Sequence, residues 1–131
     1  MTADEIKAYY WLEIEIREEK KRLLELQAKA TGATQKLSDM PGSKTTGDKI
    51  GHYALLLAEA KDTLNAKRAT ANEIRKKILA FVDAIDDPMM RNIIQYRYLN
   101  ILSWKMVAYF VGGKNTKDSV RKRAERFLES L

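Results

Sequence analysis

The sequence predicts an all-α protein: a long antiparallel helical hairpin of coiled-coil type, followed by three short helices at the C-terminus. Three observations lead there. Apolar residues recur in alternating steps of three and four over two long stretches. The 131 residues include only six glycines and two prolines, so little interrupts a helix. The charge is also divided along the chain. Residues 1–90 carry fifteen basic and fifteen acidic side chains, whereas residues 91–131 carry nine basic and three acidic, which is the whole surplus of +6. A neutral segment joined to a basic one implies that the basic part faces an anion.

Residues 3–31 read as the first helix. Tyr9, Leu12, Ile16, Glu19, Leu23, Leu26 and Ala30 form a heptad seam whose one polar member is Glu19. The charged residues between them, of mixed sign, read as a solvated face. Residues 31–47 (TGATQKLSDMPGSKTTG) have no periodicity and are rich in turn formers, which predicts a loop with a tight turn at Met40-Pro41-Gly42-Ser43. The GSKTTGDK within it lacks the Gly-Lys-Ser/Thr ending and the preceding strand of a phosphate loop.

The second long helix is expected over residues 48–86, with Asp48 as its N-cap. Its seam runs through Ile50, Tyr53, Leu57, Ala60, Leu64, Lys67, Ala71, Ile74, Ile78, Phe81 and Ile85. Lys67 is its one polar member. In an antiparallel hairpin Lys67 falls near the layer of Glu19, so the two are expected to pair and help set the register. The second helix is the longer by about 15 Å at 1.5 Å per residue. The overhanging Ile78, Phe81 and Ile85 therefore need a partner, either the C-terminal helices or a second copy of the chain.

Asp87-Pro88 ends the hairpin, because a residue before proline avoids helical angles and proline suits the first turn of a new helix. The adjacent Asp86 and Asp87 read as a break and cap, since neighbours on a helix diverge too far to act as a catalytic pair. Residues 88–131 then divide into three helices. Residues 88–100 bury Met90, Ile94, Arg97, Tyr98 and Ile101. Residues 103–111, capped by Ser103, bury Trp104, Val107, Ala108 and Val111. Residues 116–130 bury Val120, Ala124, Phe127 and Leu131.

Gly112 allows a positive backbone angle between the last two helices, and Ala108, four residues earlier, lets them cross closely. Three short helices, a glycine turn and a basic third helix make a helix-turn-helix arrangement. Residues 114–126 carry six basic and two acidic side chains. Lys114, Asn115, Thr116 and Lys117 cluster at the start of the last helix, where free amides and the helix dipole favour a phosphate, although Asn115 or Thr116 must also cap it. Ser119, Lys122 and Arg126 are expected to face a DNA groove, and Lys114, Lys117, Arg121 and Arg123 to hold phosphates.

The strings RYLNILSWKMVAYFVGG and DSVRKRAERFLESL resemble the C-terminal part of small phage-encoded regulators of Gram-positive bacteria, the ArpU-like and RinA-like late-gene regulators, whose end is similar to sigma factor region four. The LSDMPGS stretch resembles a prophage family with the same tail. The resemblance spans residues 35–131 and is carried by Arg97-Tyr98-Leu99, Ser103-Trp104, Ala108 to Gly112, and Arg123-Ala124. It implies an intracellular transcriptional regulator that binds double-stranded DNA and contacts RNA polymerase. Val120 lies further beyond Gly112 than in the sigma-like pattern, which implies a longer turn. Tyr109 and Phe110 stand where that pattern has polar residues. They form either an exposed aromatic interface or a patch covered by the hairpin.

Several classes are set aside. No run of apolar residues is long enough to span a membrane, and the acidic, amphipathic start is unlike a signal peptide. Cysteine is absent, which suits a cytoplasmic protein. His52 is the only histidine and lacks a second ligand or a nucleophile, so neither an enzyme nor a metal or cofactor site is expected. The expected partner is duplex DNA, with self-association through the hairpin. The alternatives are a phage DNA-packaging or assembly component with coiled-coil oligomerisation, and a helical adaptor that binds no DNA.

Overall fold

The computed structural model describes the backbone of residues 1–39 and 44–131 and the side chains of residues 1–32 and 49–131. These residues form five α-helices and no strand: α1 (Ala3–Asp39), α2 (Lys44–Asp83), α3 (Pro88–Ile94), α4 (Trp104–Val111) and α5 (Lys117–Glu129). The long helices α1 and α2 pack together. The loop expected over residues 31–47 is corrected, since its residues 31–39 and 44–47 are helical. The turn expected at Met40-Pro41-Gly42-Ser43 lies outside the described residues. Asp48 falls inside α2 and not at its N-cap.

The chain forms two compact units. One is Glu15–Ala69, and the other combines Met1–Ile14 with Thr70–Leu131. The division differs from the boundary at Asp87-Pro88 that the sequence suggests, because the first turns of α1 and the end of α2 from Thr70 belong with the short helices. In the unit Glu15–Ala69 the two seams meet as their spacing requires. Ile16 and Leu64 are buried, and Leu23, Leu26, Tyr53 and Leu57 are half-buried. Lys67 Nζ lies 3.3 Å from Glu19 Oε1 and 3.6 Å from Glu15 Oε2. The expected Glu19–Lys67 pair therefore forms across the seam, with side-chain exposures of 14% for Glu19 and 30% for Lys67.

In the other unit, Ile6, Tyr9, Ile78, Val82, Ile93, Ile94, Val107, Val120 and Ala124 make the core. Ile6, Val82 and Ile93 lie off the seams read from the sequence. Hydrogen bonds from Ala84 N to Phe81 O (3.1 Å) and Ile85 N to Val82 O (3.0 Å) tighten and end α2. Asp87 then caps α3, its Oδ1 accepting from Met89 N at 3.0 Å, with Pro88 in the first turn, as the sequence implies.

The helix expected over residues 88–100 is only in part α-helical. After Ile94 it widens into a π-helical turn, Gln95–Leu99. The wider turn rotates the buried face: Ile93 and Ile94 are followed five residues later by Tyr98 and Leu99, all four buried. Ile101 then takes φ 57°, a left-handed conformation that a β-branched residue rarely adopts. It turns the chain into Ser103, whose Oγ accepts from Met106 N at 3.2 Å and caps α4.

Two arginines brace this bend. Arg75 Nη1 donates to Leu99 O at 3.2 Å and to Tyr9 Oη at 3.1 Å, and Tyr9 Oη donates to Glu13 Oε1 at 2.8 Å. Arg97 Nη1 donates to Leu102 O at 3.0 Å, while its guanidinium lies 4.7 Å from the Tyr10 ring and 4.6 Å from the Trp104 ring. The link before α4 is thereby tied to α1 and α2, which positions the C-terminal helix pair.

Candidate nucleic-acid interface

α4 and α5 pack against each other, and Val107 and Ala108 of α4 and Val120, Ala124 and Leu128 of α5 are all buried. Alanines at 108 and 124 let the two backbones approach. Leu128, which the sequence reading did not place inside, takes the inward position expected of Leu131. Leu131 lies past the end of α5 and is 47% exposed.

The connection between the helices is built for a sharp turn. Gly112 has φ 78° and ψ −164°, a combination open essentially to glycine alone, and Gly113 follows in the left-handed region at φ 66°. Asn115 Nδ2 donates to Gly112 O at 2.9 Å and closes the turn. Thr116 is the N-cap of α5. Its Oγ1 accepts from Ser119 N at 3.1 Å, and Thr116 N donates to Ser119 Oγ at 2.8 Å, a reciprocal capping box.

These bonds bear on three of the residues expected at a DNA surface. The Asn115, Thr116 and Ser119 side chains are engaged in shaping the turn and the cap. Ser119 Oγ also donates to Thr116 O at 2.9 Å, so its hydroxyl serves the helix end and not a groove-facing role.

The charged residues of α5 from Asp118 to Arg126 fall into two stripes, and Glu129 follows Arg126 by three positions. Along one, Arg121 Nη2 lies 3.6 Å from Asp118 Oδ1 and Arg121 Nε lies 4.0 Å from Glu125 Oε1, one cation between two acids. Along the other, Ser119, Lys122, Arg123 and Arg126 have the i, i+3, i+4, i+7 spacing of a single helix face. Arg123 Nη1 reaches Met89 Sδ at 3.4 Å. Among the described residues Lys122 and Arg126 pair with no carboxylate, and neither do Lys114 and Lys117 beside the cap. All four are exposed. The structure thus leaves Lys122 and Arg126 as an open cationic edge flanked by Arg123, with Lys114 and Lys117 unpaired beside the cap and Arg121 held in its own ion pairs.

The interface residues expected on the hairpin divide. Ile78 and Ile85 are buried, and Phe81 packs against Phe127 with ring centroids 6.2 Å apart. The unit's own helices supply the partner that the overhanging seam needed, so Ile78 and Ile85 are not available to a second copy. Tyr109 and Phe110, in contrast, are 76% and 51% exposed, which decides against the patch being covered. Phe110 leans on Tyr96, centroids 5.7 Å apart.

Two contributors were missed from the sequence. Arg75 reads as one more charge on a solvated face, and nothing in its spacing points to Leu99 or Tyr9. Lys105 reads as a charge beside the inner stripe of α4, yet it lines a cleft next to Lys117. No helix among the described residues is long and apolar enough to cross a membrane. The chain matches no protein-family model, no curated protein and no solved structure.

Proposed function

We propose that this protein is a DNA-binding regulator of transcription of the phage type, with α4 and α5 serving as a helix-turn-helix and α5 as the helix that enters the major groove. The observation that carries the reading is the unpaired cationic edge on α5. Lys122 and Arg126 stand exposed and pair with no carboxylate, while two of the three acids of the same helix, Asp118 and Glu125, lie against Arg121. A merely solvated helix gains nothing from segregating its charges in this way. A polyanion does, because a side-chain cation releases the counterions condensed on a phosphate only where it is not already neutralised. The two-glycine turn and the capping box hold α5 rigidly against α4, as a reading helix requires. The likeness of the tail to phage late-gene regulators supports transcription as the process. Contact with RNA polymerase and self-association belong to the same proposal.

The test is binding of labelled duplex to the parent and to the double variant Lys122→Ala, Arg126→Ala at several salt concentrations. The expected result is a loss of affinity of roughly tenfold or more and a log–log salt slope shallower by about two. Helicity and melting should stay unchanged, since both side chains are exposed. Equal binding by parent and variant overturns the assignment of α5. Selection of bound sequences from random duplex then reports base preference, and the mass of the complex reports the number of copies bound.

A further inference from the structure

A cleft opens between α4 and the start of α5, and Lys117 is one of the residues that line it. Its floor is made by Ala108, Gly112 and Gly113, and its walls include Lys105, Tyr109 and Lys117. We infer that this cleft seats a sugar–phosphate segment of the bound duplex, with Lys105 and Lys117 as phosphate partners and the Tyr109 ring against the sugar edge. The inference rests on the DNA-binding reading and widens the footprint from α5 onto α4.

Three features point to this ligand class. The floor carries no bulky side chain, and a Cβ added at Gly112 would meet nothing within 4 Å, so a chain can approach the protein backbone closely. No aspartate or glutamate lines the cleft, in contrast to the apolar groove elsewhere in the same unit, which Asp86 and Asp87 border. Its charge therefore has one sign, set by two exposed lysines. Tyr109 is 76% exposed, the most open of the large hydrophobic side chains among the described residues, although Phe110 beside it leans on Tyr96. An aromatic ring between two cations is the composition that grips a nucleic-acid strand, the ring covering apolar sugar or base surface while the ammonium groups hold phosphates.

The experiment uses the full chain and the duplex of the preceding test. Lys105→Ala should shallow the salt slope by about one, whereas Lys77→Ala, which removes an exposed lysine of α2 outside the cleft, should leave it within error of the parent. Tyr109→Ala should weaken binding roughly fivefold or more, and Tyr109→Phe should restore it, because the ring and not the hydroxyl makes the contact. Both side chains are exposed, so circular dichroism should not change.

If the Lys105 and Tyr109 variants bind as the parent does while the Lys122, Arg126 double variant fails, the cleft assignment is wrong and the DNA-binding reading stands. A parent that binds no duplex overturns both. If Tyr109→Ala changes the mass of the free protein and not its DNA affinity, the cleft faces a second copy of the chain and the inference is likewise overturned.

Discussion

Arg97 has two aromatic faces about it, and its Nε is a buried nitrogen without a hydrogen-bond partner. The Tyr10 and Trp104 rings supply the electrostatic complement that a carboxylate would otherwise provide, since a guanidinium stacks on the negative face of a ring. The arrangement joins α1 to the first turn of α4 without introducing an acid near the cationic surface. Tyr9 plays a comparable part through a hydroxyl. Burial raises its pKa above the ordinary 10.0, with the Arg75 hydrogen bond opposing and Glu13 reinforcing the shift. Tyr98 is also raised, again chiefly by burial. The sign of the pH effect follows. Above 10.0 the unfolded chain releases these protons before the folded one does, so the stability they contribute is present at neutral pH and falls as pH rises past 10.0. Urea unfolding between neutral and alkaline pH should show this fall. Tyr9→Phe should reduce its steepness and should cost about 1 kcal/mol at neutral pH, through loss of the hydroxyl that links Arg75 to Glu13.

Among the elements, the turn between α4 and α5 sets the geometry of the proposed interface. Its two glycines are not equivalent. Gly113 lies in the left-handed region, which asparagine tolerates, whereas Gly112 at ψ −164° lies where a side chain is strained whatever the space around it. The open space in front of Gly112 means that the expected penalty is one of backbone and not of collision. Gly112→Ala should therefore destabilise by about 1–3 kcal/mol, and Gly113→Asn by less than about 1 kcal/mol. Thermal melts of the two variants check the order. If Gly112→Ala melts with the parent, the turn has relaxed into another conformation. The π-helical turn before α4 shows the opposite case. Nothing in QYRYL signals a fifth residue in the turn, because the local preference is for an ordinary α-helix. The widened turn lets Tyr98 and Leu99 share the buried face of Ile93 and Ile94, and tertiary packing of those four side chains decides it.

On the scale of the whole molecule, the partition of charge separates a neutral scaffold from a cationic tail. Residues 1–90 balance their charges, and Glu19 with Lys67 shows one use of that balance. A half-buried ion pair within an apolar seam opposes a slipped register, because any slip leaves one of the two charges in the seam without its partner. A double-mutant cycle with Glu19→Ala and Lys67→Ala should give a coupling of about 1 kcal/mol in unfolding free energy. Additive losses would mean that neighbouring charges, Glu15 beside Lys67 and Arg22 beside Glu19, substitute for the pair.

The sequence alone determined the all-helical class, the two seams, the Glu19–Lys67 pair, the caps at Asp87 and Ser103, and the glycine turn. Each of these depends on periodicity or on one backbone preference, and such signals are local. It takes the packed fold to show that Ile78 and Ile85 are covered by the chain itself and that the Ser119 side chain serves a cap. The same holds for the enclosure of Arg97 by Tyr10 and Trp104, the reach of Arg75 to Leu99, and the pairing of Arg121 with Asp118 and Glu125 while Lys122 and Arg126 stay unpaired. Those outcomes depend on which of several chemically suitable partners lies within a few ångströms, and that distance is set by the packing of helices remote in sequence.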